Sequence, residues 1–123
     1  MSRYFTNDHE WIDVEGEVGT VGITDYAQGQ LGDITFVEMP PEGQAVKKGE
    51  SAAVVDSVKA ASDIYAPVTG SVSGTNPALA DAPEIVNSDP ESEGWLFKIT
   101  LTDNGELAGL MDKAAYDVYV AGL

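Results

Sequence analysis

At 123 residues and 43% hydrophobic content, the chain is large enough to bury a core of its own and too apolar for an acidic disordered tail. With 21 acidic against 6 basic side chains its net charge is -15, which repels nucleic-acid phosphates and anionic headgroups, so neither nucleic acid nor a membrane is an expected partner. The lack of cysteine removes disulfide frameworks, thiol nucleophiles and thiolate metal sites, and any redox-active sulfur has to come from an attached group.

The N-terminus MSRYFTNDHEW has neither the apolar core of a signal peptide nor the Arg/Ser bias of a transit peptide. No window holds the roughly 20 apolar residues of a membrane span, so a cytoplasmic address is expected. In residues 17–23 (EVGTVGI), Val18, Val21 and Ile23 among glycines predict a strand that ends at Thr24, a good helix N-cap. A short helix over 25–31 follows, with Gly32 where a C-cap glycine belongs. Ile34, Phe36 and Val37 then read as a half-buried strand stopped by Pro40-Pro41.

From residue 43 the chain reads GQAVKKGESAAVVDSVKAASDIYAPVTGSVSG, rich in Val and Ala with glycines at the turns, which predicts short antiparallel strands. Within it, Ala45-Val46-Lys47-Lys48-Gly49-Glu50-Ser51 and Ala66-Pro67-Val68-Thr69-Gly70-Ser71-Val72 echo each other, with Val46 three and Val68 two residues before a glycine. The echo suggests two strand-turn units of approximate symmetry, with Val58-Lys59-Ala60 at the hairpin between them.

Residues 76–94 hold three prolines and many acids and predict a short helix followed by an exposed loop. Trp95 to Leu101 (WLFKITL) predicts another strand. Asp103 and Glu106 read as a capping pair before Leu107, Leu110 and Met111 at helical spacing. A last helix over 112–121 groups Tyr116, Tyr119 and Val120 to close one end of a barrel or sandwich. The fold class is mainly β, one domain over residues 1–123 with short helices.

Acid–base catalysis needs convergent titratable groups, yet the one histidine, His9, stands beside Glu10 and Trp11, an ordinary setting for a structural or solvated residue. Asn87, Asp89, Glu91 and Glu93 alternate like a calcium loop, but Ser92 occupies the position where the EF-hand turn needs glycine. Phosphate-loop and dinucleotide fingerprints are absent, and Gly70-Ser71-Val72-Ser73-Gly74 has valine where a nucleophile elbow needs serine. No catalytic or metal-ligating residue is therefore expected.

Lys59, flanked by Ser57, Val58, Ala60, Ala61 and Ser62, is the remaining candidate. A single lysine in a turn is ordinarily a solvated charge. Its setting raises the alternative of an acylation site, where modification removes the charge and extends a flexible stem, as a group carrier requires.

Asp56-Ser57-Val58-Lys59-Ala60 followed by Ser62-Asp63-Ile64-Tyr65-Ala66-Pro67-Val68-Thr69-Gly70 resembles the lipoylation segment of the glycine cleavage H proteins. Asp8-His9-Glu10-Trp11, Gly22-Ile23-Thr24-Asp25-Tyr26-Ala27-Gln28, Leu31-Gly32-Asp33-Ile34 and Glu93-Gly94-Trp95-Leu96 stand in family order and spacing, so the likeness covers residues 4–121. The chain departs from the family at Asp56, where Glu is usual, and at Ser73-Gly74, which replaces a more apolar strand end.

The resemblance implies a lipoyl/biotinyl-type flattened barrel of two antiparallel sheets with short helices, and lipoate in amide linkage on Lys59. It implies a non-catalytic carrier that takes the aminomethyl group of glycine from the glycine decarboxylase (P protein) to the aminomethyltransferase (T protein). The dihydrolipoamide dehydrogenase (L protein) reoxidises the arm, and a lipoate-attaching enzyme installs it. Family members shelter the loaded arm in a surface cleft, and Glu10 and Asp63, with His9 nearby, match the positions for that role. One mobile arm on an acidic domain suits transient docking, and hence a monomer, better than permanent assembly.

Other readings differ in class. A lipoyl-relay or regulatory docking module would also use Lys59, and only activity with glycine and the P protein separates it from the carrier. A biotin carrier would flank its lysine with methionines, where Val58 and Ala60 stand here. A stand-alone enzyme lacks its polar constellation.

Overall fold

A computed structural model describes residues 2–123. The N-terminal stretch, unassigned from sequence beyond its motif, forms a hairpin of β1 (Ser2–Phe5) and β2 (Glu10–Glu15), with Phe5 opposite Trp11. β3 (Val18–Ile23) pairs with β2 and leads into α1 (Asp25–Leu31) and β4 (Ile34–Glu38). The short β5 (Ala45–Val46), then β6 (Ser51–Ser57), β7 (Ala61–Tyr65) and β8 (Gly70–Thr75) make up the Val/Ala-rich middle. Helices α2 (Ala78–Asp81) and α3 (Ile85–Ser88), strand β9 (Phe97–Leu101), a 3₁₀ turn over Asn104–Gly109 and helix α4 (Lys113–Ala121) complete the chain.

The strands form two antiparallel sheets, one ordered β1-β2-β3-β9-β8-β5 and the other β4-β6-β7. Alternation along the strands turns one face of each sheet inward: Ala53 and Val55 of β6 are buried while Ala52 and Val54 are only half covered. Ile12, Val21, Phe97 and Ile99 from the larger sheet meet Val37, Val55 and Ile64 from the smaller in one apolar cluster. Each such buried side chain contributes roughly 1.5–3 kcal/mol, so the face-to-face contact is the main term holding the sheets together.

The two glycines of β3 that face β2 are required by close approach. A Cβ at Gly19 would meet Ile12 at 2.5 Å, and one at Gly22 would meet the Trp11 ring at 2.6 Å. Trp11 cannot yield, because its indole N–H donates to Ile23 O (2.9 Å) and Pro90 O (3.0 Å).

The fold class agrees with the sequence reading. Thr24 caps α1, its hydroxyl accepting from Ala27 N, and Gly32 ends the helix at φ +80°. The two echoing segments pair with each other: Ala45 lies opposite Ser71, Val46 opposite Gly70, and Gly49 N donates to Ala66 O.

Four expectations are corrected. Residues 76–94 are not one helix and an exposed loop, since a second helix, α3, buries Val86, and Pro90 is buried against Trp11. The last long strand begins at Phe97, preceded by irregular backbone at Trp95 and Leu96, where Asn76 Nδ2 donates to Trp95 O and Leu96 N donates to Val21 O. Asp103 caps the following turn through Gly105 N, but Glu106 reaches away to Thr69 N (2.6 Å) and Oγ1 (2.8 Å), and the turn is 3₁₀. Of the aromatic group on α4, Tyr116 is buried with Phe5 and Trp11 and Val120 packs on them, whereas Tyr119 remains exposed.

No described helix is long and apolar enough to cross a membrane.

Candidate functional site

Between β6 and β7 the chain reverses within Ser57–Ala60, and backbone and hydroxyl groups pin the reversal. Ser57 N and Oγ both donate to Ala60 O (2.9 and 3.1 Å), and Ser57 Oγ accepts from the amides of Lys59 and Ala60 (both 3.2 Å). Val58 N donates to Asp33 O (3.0 Å), tying the tip to the α1–β4 junction. The small residues and the serine therefore hold the backbone while the side chains of Val58, Lys59 and Ala60 remain exposed. Among the described residues Lys59 makes no ion pair. Its aliphatic stem passes over Gly32, where a Cβ would stand 3.3 Å from Lys59 Cε. An exposed amine on a fixed backbone is suited to acylation by an external enzyme.

A cleft of about 500 Å³ opens between the two sheets and the 3₁₀ turn, lined by Thr6, Asp8, Glu10, Lys48, Tyr65 and Tyr119 among others. Glu10 is its buried acid, 2% exposed. Glu10 Oε1 accepts from Thr6 Oγ1 (3.1 Å) and Oε2 from Tyr65 N (2.7 Å), so a side chain of β2 completes the edge of β7 in the other sheet. Burial pushes its pKa up to about 8, against the opposing pull of the Tyr65 and Thr6 hydrogen bonds. A carboxyl in that state is mostly neutral at pH 7 and ionises when a cation is placed against it. The cleft can thus favour an amine over a neutral group.

Asp63 is exposed on β7 and accepts from Ser51 Oγ (3.1 Å). It lies two residues from Tyr65 on the same face of the strand, between the Lys59 hairpin and the cleft. His9 does not line the cleft. Its Nδ1 is 2.8 Å from Tyr116 Oη, and its ring packs on Tyr26 with centroids 4.5 Å apart. Burial lowers its pKa, which keeps the imidazole neutral. The structure joins Glu10 to β7 and the cleft, leaves Asp63 exposed on β7, and keeps the His9 ring outside the cleft.

Sequence reasoning missed Thr6, Lys48 and Tyr65. Thr6, four residues before Glu10, is a local signal, because a hydroxyl at that spacing can serve a buried acid across a turn. Lys48 and Tyr65 meet the cleft through the pairing of the two echoing segments, which brings Gly49 beside Ala66.

Two carboxylates of the acidic loop are taken up by backbone amides, one inside the loop and one at α1. Asp89 Oδ2 accepts from Glu93 N (3.1 Å), and Glu91 Oε2 accepts from Asp25 N (2.9 Å) at the start of α1. Among the described residues no group of His, Asp and Glu is arranged to hold a metal ion.

Residues 3–122 match the family model described as glycine cleavage H-protein. The chain is 62% identical over 117 residues to the glycine cleavage system H protein of Bradyrhizobium diazoefficiens, covering 95% of this chain and 96% of that one. It is 57% identical over 122 residues to the H protein of Paramagnetospirillum magneticum, covering 99% and 98%. The crystal structure of a glycine cleavage system H protein from Mycobacterium marinum superposes with a TM-score of 0.88 at 37% identity, covering 99% of this chain and 98% of that one. With the family model spanning nearly the whole chain and the relatives matching over nearly their full length, the chain belongs to the glycine cleavage H-protein family.

Proposed function

We propose that this protein is a lipoyl carrier of the glycine cleavage system, a single-domain monomer of the cytoplasm that bears lipoate in amide linkage on Lys59. The observation that carries this reading is the hairpin itself: an exposed lysine amine, without an ion pair among the described residues, on a backbone pinned by Ser57 and Asp33. Bound there, lipoate supplies a dithiolane that takes up the aminomethyl group of glycine and is later reoxidised.

The residues of the chain fit that group. Acylation removes the Lys59 charge and lengthens a stem that already clears its small neighbours. Asp63 marks the route along β7, and Glu10, neutral in the free cleft, gives up its proton to meet a cationic amine. His9 stands behind Glu10 and supports it. The chain performs no chemistry of its own: it presents the arm in turn to the glycine decarboxylase, the aminomethyltransferase and the dihydrolipoamide dehydrogenase, after a lipoate-attaching enzyme has installed it. Tethering supplies high local concentration, limited by the reach of the arm.

The test is glycine-dependent bicarbonate exchange by the glycine decarboxylase, with the lipoylated chain as its only carrier. The reading expects exchange with the parent chain and none with Lys59→Arg. Lack of exchange with fully lipoylated parent chain would refute it.

A further inference from the structure

The turn that brings Glu10 to the cleft is held from behind by the C-terminal helix. Thr6 N donates to Glu10 O (2.9 Å) and His9 N to Thr6 O (3.2 Å), while Thr6 Oγ1 accepts from the amides of Asp8 and Glu10, both at 3.2 Å. Thr6, Asn7, Asp8 and Glu10 all line the cleft, and His9 is the one residue of the turn that does not. His9 is also the one non-glycine residue with positive φ among those described, at +67°. That left-handed backbone is uncommon for a side-chain-bearing residue and persists where surrounding contacts impose it.

The contacts that impose it come from α1 and α4. The His9 ring stacks at a tilt on Tyr26 and lies 5.9 Å from the rings of both Tyr116 and Tyr119. His9 Nδ1 shares a hydrogen bond with Tyr116 Oη (2.8 Å), Tyr116 Oη shares another with Thr24 Oγ1 (2.7 Å), and Thr24 Oγ1 accepts from Ala27 N (3.2 Å). Tyr119 Oη donates to Asn7 O (3.3 Å), gripping the same turn at a second point. Tyr116 is itself fixed, stacked on Phe5 at 4.6 Å.

The geometry points to His9 as a positioning residue: held by Tyr116 and Tyr119 of α4, it sets the Thr6–Glu10 turn so that the Glu10 carboxyl stays under the Tyr65 amide, ready for a cationic amine. The assignment rests on the cleft being the seat of the amine, and it makes α4, far along the chain, part of the cleft's construction.

The titration of the Glu10 carboxyl, followed by carbon-detected NMR in the full-length chain, tests it directly. Tyr116→Phe removes only the hydroxyl, and His9→Asn removes the ring while keeping a side chain tolerant of left-handed backbone. Each is expected to lower the Glu10 midpoint by about one pH unit or more, as the loosened turn admits water to a buried acid. Val118→Ala, at an exposed site on the same helix, is expected to leave it unchanged. Folded Tyr116→Phe and His9→Asn chains with the parent's Glu10 midpoint would overturn the proposal, even if both melt at lower temperature. A second readout is the Tyr65 amide signal as the arm is loaded with the aminomethyl group by the glycine decarboxylase. If the midpoints move but this signal in the parent chain ignores loading, His9 sets the turn but the cleft is not the seat of the amine, and the assignment as stated is overturned.

Discussion

At Glu10 the fold takes a carboxyl out of water. Its pKa rises from 4.5 to about 8, chiefly because the folded chain removes the carboxyl from water. Between those values the folded chain keeps a proton that the unfolded chain has lost, so stability falls as pH rises through this window and levels off above it. Glu10→Gln retains the acceptor for Tyr65 N and is expected to flatten that slope. At about 1.4 kcal/mol per unit, the gain in unfolding free energy near pH 9 is on the order of 3–5 kcal/mol. Urea denaturation at pH 5 and pH 9 checks this, and an unchanged slope would show that Glu10 is ionised in the fold. Lys59→Ala belongs at the same scale with the opposite character. Because the side chain is exposed and its backbone is held by Ser57, stability is expected to shift by no more than about 0.5 kcal/mol while attachment is lost. The exposure of Lys59 was legible in the sequence from its small neighbours. The burial of Glu10 was not, since an acid between His9 and Trp11 in sequence looks the same exposed or buried.

At the scale of elements, what was legible depended on local chemistry. The span of α1 follows from Thr24 and Gly32, whose capping requirements are set within a few residues. Glu106 had the spacing of a capping box, yet a contact to Thr69, invisible in local sequence, took its carboxylate away. Residues 76–94 have the composition of a loop. Only the fold reveals that Asn87 secures the α1–β4 junction, with Nδ2 donating to Gly32 O (2.9 Å) and Oδ1 accepting from Ile34 N (2.8 Å). The glycines separate local from tertiary causes in the same way. Gly29 has open space around its Cβ position in α1, so Gly29→Ala is expected to stabilise by about 0.5–1 kcal/mol through helix propensity. Gly22→Ala drives a methyl into a Trp11 ring held by two hydrogen bonds, and a loss of about 2–3 kcal/mol is expected. Urea denaturation of both variants reads the opposite signs, and equal effects would refute the packing of β3 against β2.

For the whole molecule, the net charge of -15 is the largest feature that composition revealed, and the fold leaves most of those acids exposed. A carrier that visits several enzymes gains from fast, reversible encounter, which charge steering supplies and salt screens. Association of the lipoylated chain with the glycine decarboxylase is therefore expected to slow as ionic strength rises, the Debye length shrinking to about 3 Å at 1 M salt. Stopped-flow rates over a salt series check this, and rates independent of salt would remove the steering role. The proposed carrier role depends on one covalent bond. Peptide mass spectrometry of the chain made in a lipoate-competent host, beside Lys59→Ala, reads that bond directly. The expected result is the mass of one lipoyl amide, mapped to Lys59 and missing from the variant. An unmodified Lys59, under conditions that lipoylate a known acceptor, would contradict it.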